Sequence, residues 1–156
     1  MADFKLIDVD ETPYLYVERS TTMDPGEISR AMGSAFGEVW AFMEKHGVPP
    51  GGGALSVYHD YAEGRMAFRA GFVVARADMA AADGTVKADA TPAGRVLHFT
   101  HIGAYDGLRD AYDGMMRHME SEGLAYAPPT WEVYLNSPDE VHEDQLVTKC
   151  YQALAG

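Results

Sequence analysis

The chain holds a single cysteine, Cys150, among its 156 residues. That excludes an internal disulfide framework and points to a reducing, cytoplasmic setting. Positive charge is also scarce: 12 lysines and arginines stand against 24 aspartates and glutamates, a net charge of −12. A nucleic-acid binder would carry a basic stripe, so no direct nucleic-acid contact is expected, nor attraction to an anionic membrane. No run of about 18 apolar residues is long enough to span a bilayer. The opening stretch, MADFKLIDVDETPYLYVER, scatters charges where a signal peptide would place an apolar segment. The triplet Gly51–Gly53 lacks the Lys-Ser/Thr of a phosphate loop and reads as a flexible hairpin entry. His98, His101, His118 and Glu122 show no zinc-type spacing, so neither metal nor cofactor is expected.

What is present is a globular composition, 47% hydrophobic, in a length that suits one domain over residues 1–156 with one core. The chain reads as one unit written twice. MEKHGVPPGGGALSVYHD (Met43 to Asp60) parallels MESEGLAYAPPTWEVYLN (Met119 to Asn136), and the shift from Gly47 to Gly123 equals that from Tyr58 to Tyr134. Each copy opens with a strand, at Tyr14–Arg19 and Arg95–His101. A helix follows. The first has Asp24 as cap, Pro25 at its first position and Ile28, Met32, Phe36 and Trp40 at helical spacing, with Ala35, Val39 and Met43 beside them. The second runs from about Asp106 to Glu122, with Leu108, Tyr112, Met115 and Met119 as its apolar face. Gly47 and Gly123 suit the helix ends. A Pro-Pro loop then leads into a hairpin, whose closing strands are Met66–Arg76 and Leu146–Leu154.

The expected fold is therefore α+β: a duplicated β-α-β-β unit forming an antiparallel sheet, with both helices on one face and a groove between the repeats. Repeat one covers about 4–76, a linker 77–92 with a short candidate strand at Val86–Ala90, and repeat two about 93–156.

Strand alternation assigns side chains to faces. Trp131, Val133 and Leu135 share one face, as do Leu55 and Val57; these apolar sets are expected under the helices. Glu132, Tyr134 and Asn136 then share the helix-free face with Ser56, Tyr58 and Asp60. Tyr16, Phe68 and Tyr151 are further candidates for that face. Glutamate is a poor strand former, and Glu132 has only Ser56 as its counterpart. Two readings stand: a solvated glutamate on an exposed strand, or a carboxylate kept for a ligand. A third role, an ion pair with Arg69 or Lys149, would make it structural.

The order GRVLHFTHIGAYDGL, a helix, then WEVYLNSP resembles the GyrI-like small-molecule-binding family, which also supplies effector domains to AraC-type and MerR-type regulators. The carriers are His101, Gly103 and Tyr105, then Trp131, Glu132, Tyr134 and Pro138. The resemblance spans nearly the whole chain. It implies a ligand groove in which the strand glutamate, Glu132 here, binds lipophilic cations with aromatics stacked around it; Tyr134 and Tyr105 match motif positions. Tyr58, Phe68, Tyr16 and Tyr151 rest on alternation alone. The chain is expected to act as a stand-alone binding module, monomeric or dimeric, since a fused helix-turn-helix needs about 50 further residues. Two alternatives remain: a hydrolase of cyclopropane-containing natural products using Glu132 with Tyr134 or Tyr105, and a protein-binding inhibitor.

Overall fold

The computed structural model describes residues 3–59, the backbone of residues 61–62, and residues 65–138 and 140–155. Asp60, grouped above with Tyr58, lies outside them. The elements in chain order are β1 (Lys5–Val9), β2 (Thr12–Thr22), α1 (Pro25–His46), β3 (Ala54–Tyr58), β4 (Tyr61–Ala62), β5 (Arg65–Val73), β6 (Lys87–Thr91), β7 (Gly94–Ile102), α2 (Leu108–Ser121), β8 (Tyr126–Tyr134) and β9 (Val147–Leu154). The fold is the expected mixed α+β class with an antiparallel sheet.

Local chemistry marks both ends of α1 and the close of α2. The Asp24 side chain accepts from the Glu27 N–H at 3.0 Å, which satisfies one of the unpaired donors at the start of α1. Gly47 ends that helix with φ of 67°, a left-handed conformation that glycine adopts without a side-chain clash. Gly123 closes the segment after α2 in the same way, with φ of 66°.

The sheet runs β1-β7-β9-β8-β3-β5-β2-β6, and β4 extends the hairpin with β5. The order is palindromic about the β8/β3 pair. Ser56 lies directly opposite Glu132 in the register, so a local two-fold passes between them. Tyr58 and Tyr134, each two residues further along, occupy equivalent strand positions.

The strands β1 and β6 cross between halves. β1 precedes β2 in the chain but pairs with β7; β6, inside the expected linker, precedes β7 but pairs with β2. Only Asp10 and Glu11 connect β1 to β2, and only Pro92 and Ala93 connect β6 to β7. Two-residue links reach roughly 10 Å, yet these join opposite ends of the sheet. The sheet therefore curls until its ends nearly meet. Gly71 assists at β5, where any side chain would strike the Leu15 carbonyl oxygen of β2.

This curl reverses the expected face assignment. Leu15, Val17, Tyr58, Phe68 and Ala70 pack beneath α1 with Ala35, Val39, Phe42 and Met43. Leu97, Phe99 and Cys150 pack beneath α2 with Met115 and Met119. Trp131, Leu55, Val57, Tyr14 and Tyr16 form a separate cluster, joined by Val133 and Tyr151, on the side away from the helices. Glu132 and Tyr134 thus face the helices, and Trp131 faces away. The expectation assumed a flat two-layer domain with a wet outer face. In a curled sheet the helix-free face is a concave interior, so it must be apolar too. Tyr16 and Tyr151 are consequently on the opposite side of the sheet from Glu132, and Phe68, 1% exposed, is core beneath α1.

Candidate functional site

Because α1 covers β2 and β5 while α2 covers β7 and β9, a strip over β8 and β3 lies between the helices. Glu132, Tyr134, Ser56 and Tyr58 rise from it. Aromatic side chains from α1, β5 and the turn before α2 surround this strip. Phe36 meets Tyr134 edge-on at 6.2 Å between ring centroids and Phe72 at 5.9 Å. Trp40, one helical turn later, lies 5.4 Å from Phe72. Tyr105 meets Tyr134 at 5.8 Å. Trp40 and Tyr105 are 43% and 38% exposed, so the outer rings of this aromatic cluster face solvent.

Residue spacing explains how Tyr105 arrives there. His101, next to last in β7, faces the helices opposite Thr148. Its Nε2–H donates to the Ala104 carbonyl at 2.8 Å, and Gly103 takes φ of 128°, which permits the sharp reversal. The chain then delivers Tyr105 over Tyr134. The His-x-Gly-x-Tyr pattern is thus an anchor, a hinge point and a wall.

Glu132 is 5% exposed, with both carboxylate oxygens occupied. Tyr134 donates to Oε1 at 2.6 Å, and Tyr112 of α2 donates to Oε2 at 2.7 Å. The Tyr134 oxygen also lies 3.0 Å from the Ser56 hydroxyl, which can donate in turn because a phenol has one proton. Among the described residues no lysine or arginine lies within ion-pair distance of Glu132. Arg69 belongs to the other face, bonded to Asp89 at 2.6 Å and to the Tyr14 hydroxyl at 3.1 Å. Lys149 alternates with Cys150 and likewise points away. The structural ion pair considered from the sequence does not exist.

Burial raises the Glu132 pKa above the ordinary carboxylate value, against the opposing pull of the Tyr134 and Tyr112 hydrogen bonds and of His101. Tyr112 and Tyr134 are pushed well above 10, first by burial and then by the Glu132 charge, with Tyr58 adding to both. Tyr105 is raised by burial and by Glu132. The phenols therefore stay protonated as donors. Cys150, opposite Glu132 in the register, has its thiol pKa raised by burial and is inert as a nucleophile.

On the far side of Tyr112 the same strip opens into a hollow of about 340 Å3 bounded by Met115, Met116, Tyr126, Thr130 and Gln152. Tyr112 is shared by this hollow and by the carboxylate.

The structure brings together Glu132, Tyr134, Tyr105 and Tyr58 from the sequence candidates, and separates Tyr16, Tyr151 and Phe68 from them. Phe36, Trp40, Phe72 and Tyr112 were missed. Two signals pointed to three of them: Phe36 and Trp40 stand one position outside the Ala35/Val39/Met43 stripe, and Tyr112, within an apolar helix face, needs a partner for its hydroxyl.

The family model of the GyrI-like small molecule binding domain matches residues 2–154. The chain belongs to this family. Among solved structures, this GyrI-like domain is similar to the C-terminal domain of EcmrR, with a TM-score of 0.76 at 20% identity, covering 99% of this chain and 98% of that one. It also matches EcmrR in a DNA complex, with a TM-score of 0.81 at 18% identity, and there it spans 57% of that chain against 98% of its own. SAV2435 bound to tetraphenylphosphonium gives a TM-score of 0.64 at 11% identity, covering 99% of this chain and 94% of that one. A hydrolase from Listeria innocua gives 0.63 at 16% identity, covering 97% and 91%. Identities this low establish a shared fold. No curated protein matches the chain.

Proposed function

We propose that this GyrI-like domain binds lipophilic aromatic cations in the cleft between its helices, with Glu132 as the charge that selects them. One observation carries this: a buried carboxylate with no lysine or arginine partner among the described residues, beside a cluster of aromatic rings from Phe36, Trp40, Phe72, Tyr105 and Tyr134. Desolvation of that carboxylate is a standing penalty that a bound cation relieves. Aromatic faces add cation–π attraction of about 0.5–2 kcal/mol each. Neither term demands a close shape match, so the cleft suits several ligands. The single buried thiol and the acidic surface fit a cytoplasmic protein that contacts no nucleic acid through this domain.

The test is calorimetric titration with tetraphenylphosphonium and with triphenylphosphine oxide as an uncharged analogue. Glu132→Gln should weaken the cation by about 1–3 kcal/mol and leave the neutral compound within about threefold. Equal losses for both would overturn the proposal. A second reading, turnover of a strained electrophilic ring, is favoured by the raised pKa of Glu132 beside tyrosine hydroxyls at 2.6 and 2.7 Å, a setting suited to proton transfer. Recovery of a cyclopropane-bearing compound unchanged after incubation would refute it.

A further inference from the structure

The curled sheet borders a second, partly open hollow on the side of β8 away from Glu132. Its volume is about 200 Å3, and it opens beside the two links that join the ends of the sheet. Trp131 and Tyr151 supply aromatic wall, Leu55 and Val133 aliphatic wall, and Asp10 and Thr91 bring polar groups to one side. Behind the wall the rings are stacked: Trp131 on Tyr151 at 5.2 Å and 12°, and Tyr151 on His98 at 4.6 Å and 25°. We infer that this hollow is a second binding site, for a small planar molecule of one or two aromatic rings bearing one hydrogen-bond donor.

Size decides the class. The hollow is smaller than the roughly 300–1,000 Å3 of a drug-sized pocket, so the bulky cations of the other cleft do not fit. An apolar cavity of about 150 Å3 is enough for benzene, so one substituted ring or two fused rings do fit. An eight-stranded curled sheet has an interior of the right width for one small ligand. Flatness follows from the wall: a planar guest can join the stack of near-parallel rings, in offset or edge-on contact. The donor follows from Asp10, an exposed carboxylate that can only accept, beside Thr91, whose hydroxyl already accepts from the Thr12 N–H at 3.2 Å. Because Trp131 and Glu132 point to opposite sides of β8, this site stands whether or not the cation cleft does.

The probe is 4-fluorophenol, one ring with one donor, titrated into the full chain and followed by fluorine NMR. A fragment of this size should bind with a dissociation constant of roughly 0.1–10 mM. Val133→Phe fills the hollow and should weaken 4-fluorophenol at least about tenfold, while tetraphenylphosphonium binding is unchanged. Glu132→Gln should leave 4-fluorophenol within about twofold. In a Trp40→Phe background Trp131 is the one remaining tryptophan, and its emission on excitation near 297 nm should change as the probe saturates. This readout decides the matter if Val133→Phe fails to fold. The inference is overturned by the absence of saturable binding, by unaltered Trp131 emission at saturation, or by loss of 4-fluorophenol in Glu132→Gln with retention in Val133→Phe.

Discussion

Replacing Tyr112 with phenylalanine removes one oxygen and isolates what holds the Glu132 carboxylate in the empty protein. Tyr112 donates to Oε2 at 2.7 Å from within α2, and Tyr134 serves Oε1. A hydrogen bond to a charged group contributes about 1.5–3 kcal/mol net, a neutral one about 0.5–1.5. An ionised carboxylate at pH 8 then predicts that Tyr112→Phe destabilises the ligand-free protein by about 1.5–3 kcal/mol. In a Glu132→Gln background the same change should cost about 1 kcal/mol, because the amide oxygen is a neutral acceptor. The difference is the coupling energy of the pair.

The pH dependence sharpens this. Burial raises the folded-state pKa of Glu132 above its unfolded value, so the folded form holds its proton more tightly. Its contribution to stability is then fully present below the unfolded value of about 4.3 and is lost as pH rises through the folded value. Wild type should gain on Glu132→Gln as pH falls toward 4. Over the same range the Tyr112–Glu132 coupling should shrink toward zero, because a protonated carboxyl, like the amide, is a neutral acceptor. Urea denaturation of wild type, both single variants and the double variant at pH 8 and pH 4 provides the cycle, and other titrating groups cancel within it. Coupling near zero at pH 8, or equal coupling at both pH values, would refute the claim that Glu132 is an ionised, desolvated carboxylate.

Three further outcomes are expected. Trp40→Ala should change stability by less than about 1 kcal/mol, since the ring is 43% exposed, yet weaken aromatic cations measurably by calorimetry, whereas Phe68→Ala, 1% exposed beneath α1, should lower stability by about 3–5 kcal/mol in a chemical melt. Arg69→Met removes partners from Asp89 and Tyr14 and should destabilise by about 1–2 kcal/mol at neutral pH; the Asp89 pKa is depressed, so that difference should fade in melts as pH falls below about 3.9. Burial lowers the His98 pKa, and its Nδ1 lies 2.9 Å from the Cys150 carbonyl, so wild type should lose stability as pH drops below about 6.5, and His98→Phe should flatten that segment of the thermal-melt profile.

The helices and most strands were legible because their signals are local. Asp24 and Pro25 announce α1, Gly47 ends it, and the shared shift of Gly123 and Tyr134 reveals the second copy. The faces were not legible, because alternation says which residues share a side but not which side carries the helices. Trp131 and Glu132 could be told apart from one another and still be placed backwards. The deciding fact was the pairing of β1 with β7 and of β6 with β2, a contact between chain segments some 70 or more residues apart that curls the sheet. Nothing in the residues 5–9 or 87–91 taken alone announces their partners. Tyr112 shows the same limit from the other direction: its helical spacing marked it correctly as inward-facing, but only the register of β8 put a carboxylate within reach of its hydroxyl.

The palindromic sheet also explains why the acidic charge is single. Ser56 and Glu132 are directly opposite across the local two-fold, so they are the equivalent residues of the two halves and immediate neighbours. Side chains so placed have Cβ atoms about 4.5–5.5 Å apart, and like charges there are destabilising. Two copies of the same glutamate would put two carboxylates into one buried site, where both could not ionise at neutral pH. A single ionisable carboxylate at this two-fold therefore needs a neutral residue opposite it. Serine does more than avoid the conflict, because its hydroxyl meets the Tyr134 oxygen at 3.0 Å and so supports the phenol that donates to Glu132. The fold duplicates, while electrostatics at its two-fold favours one acidic residue there over two.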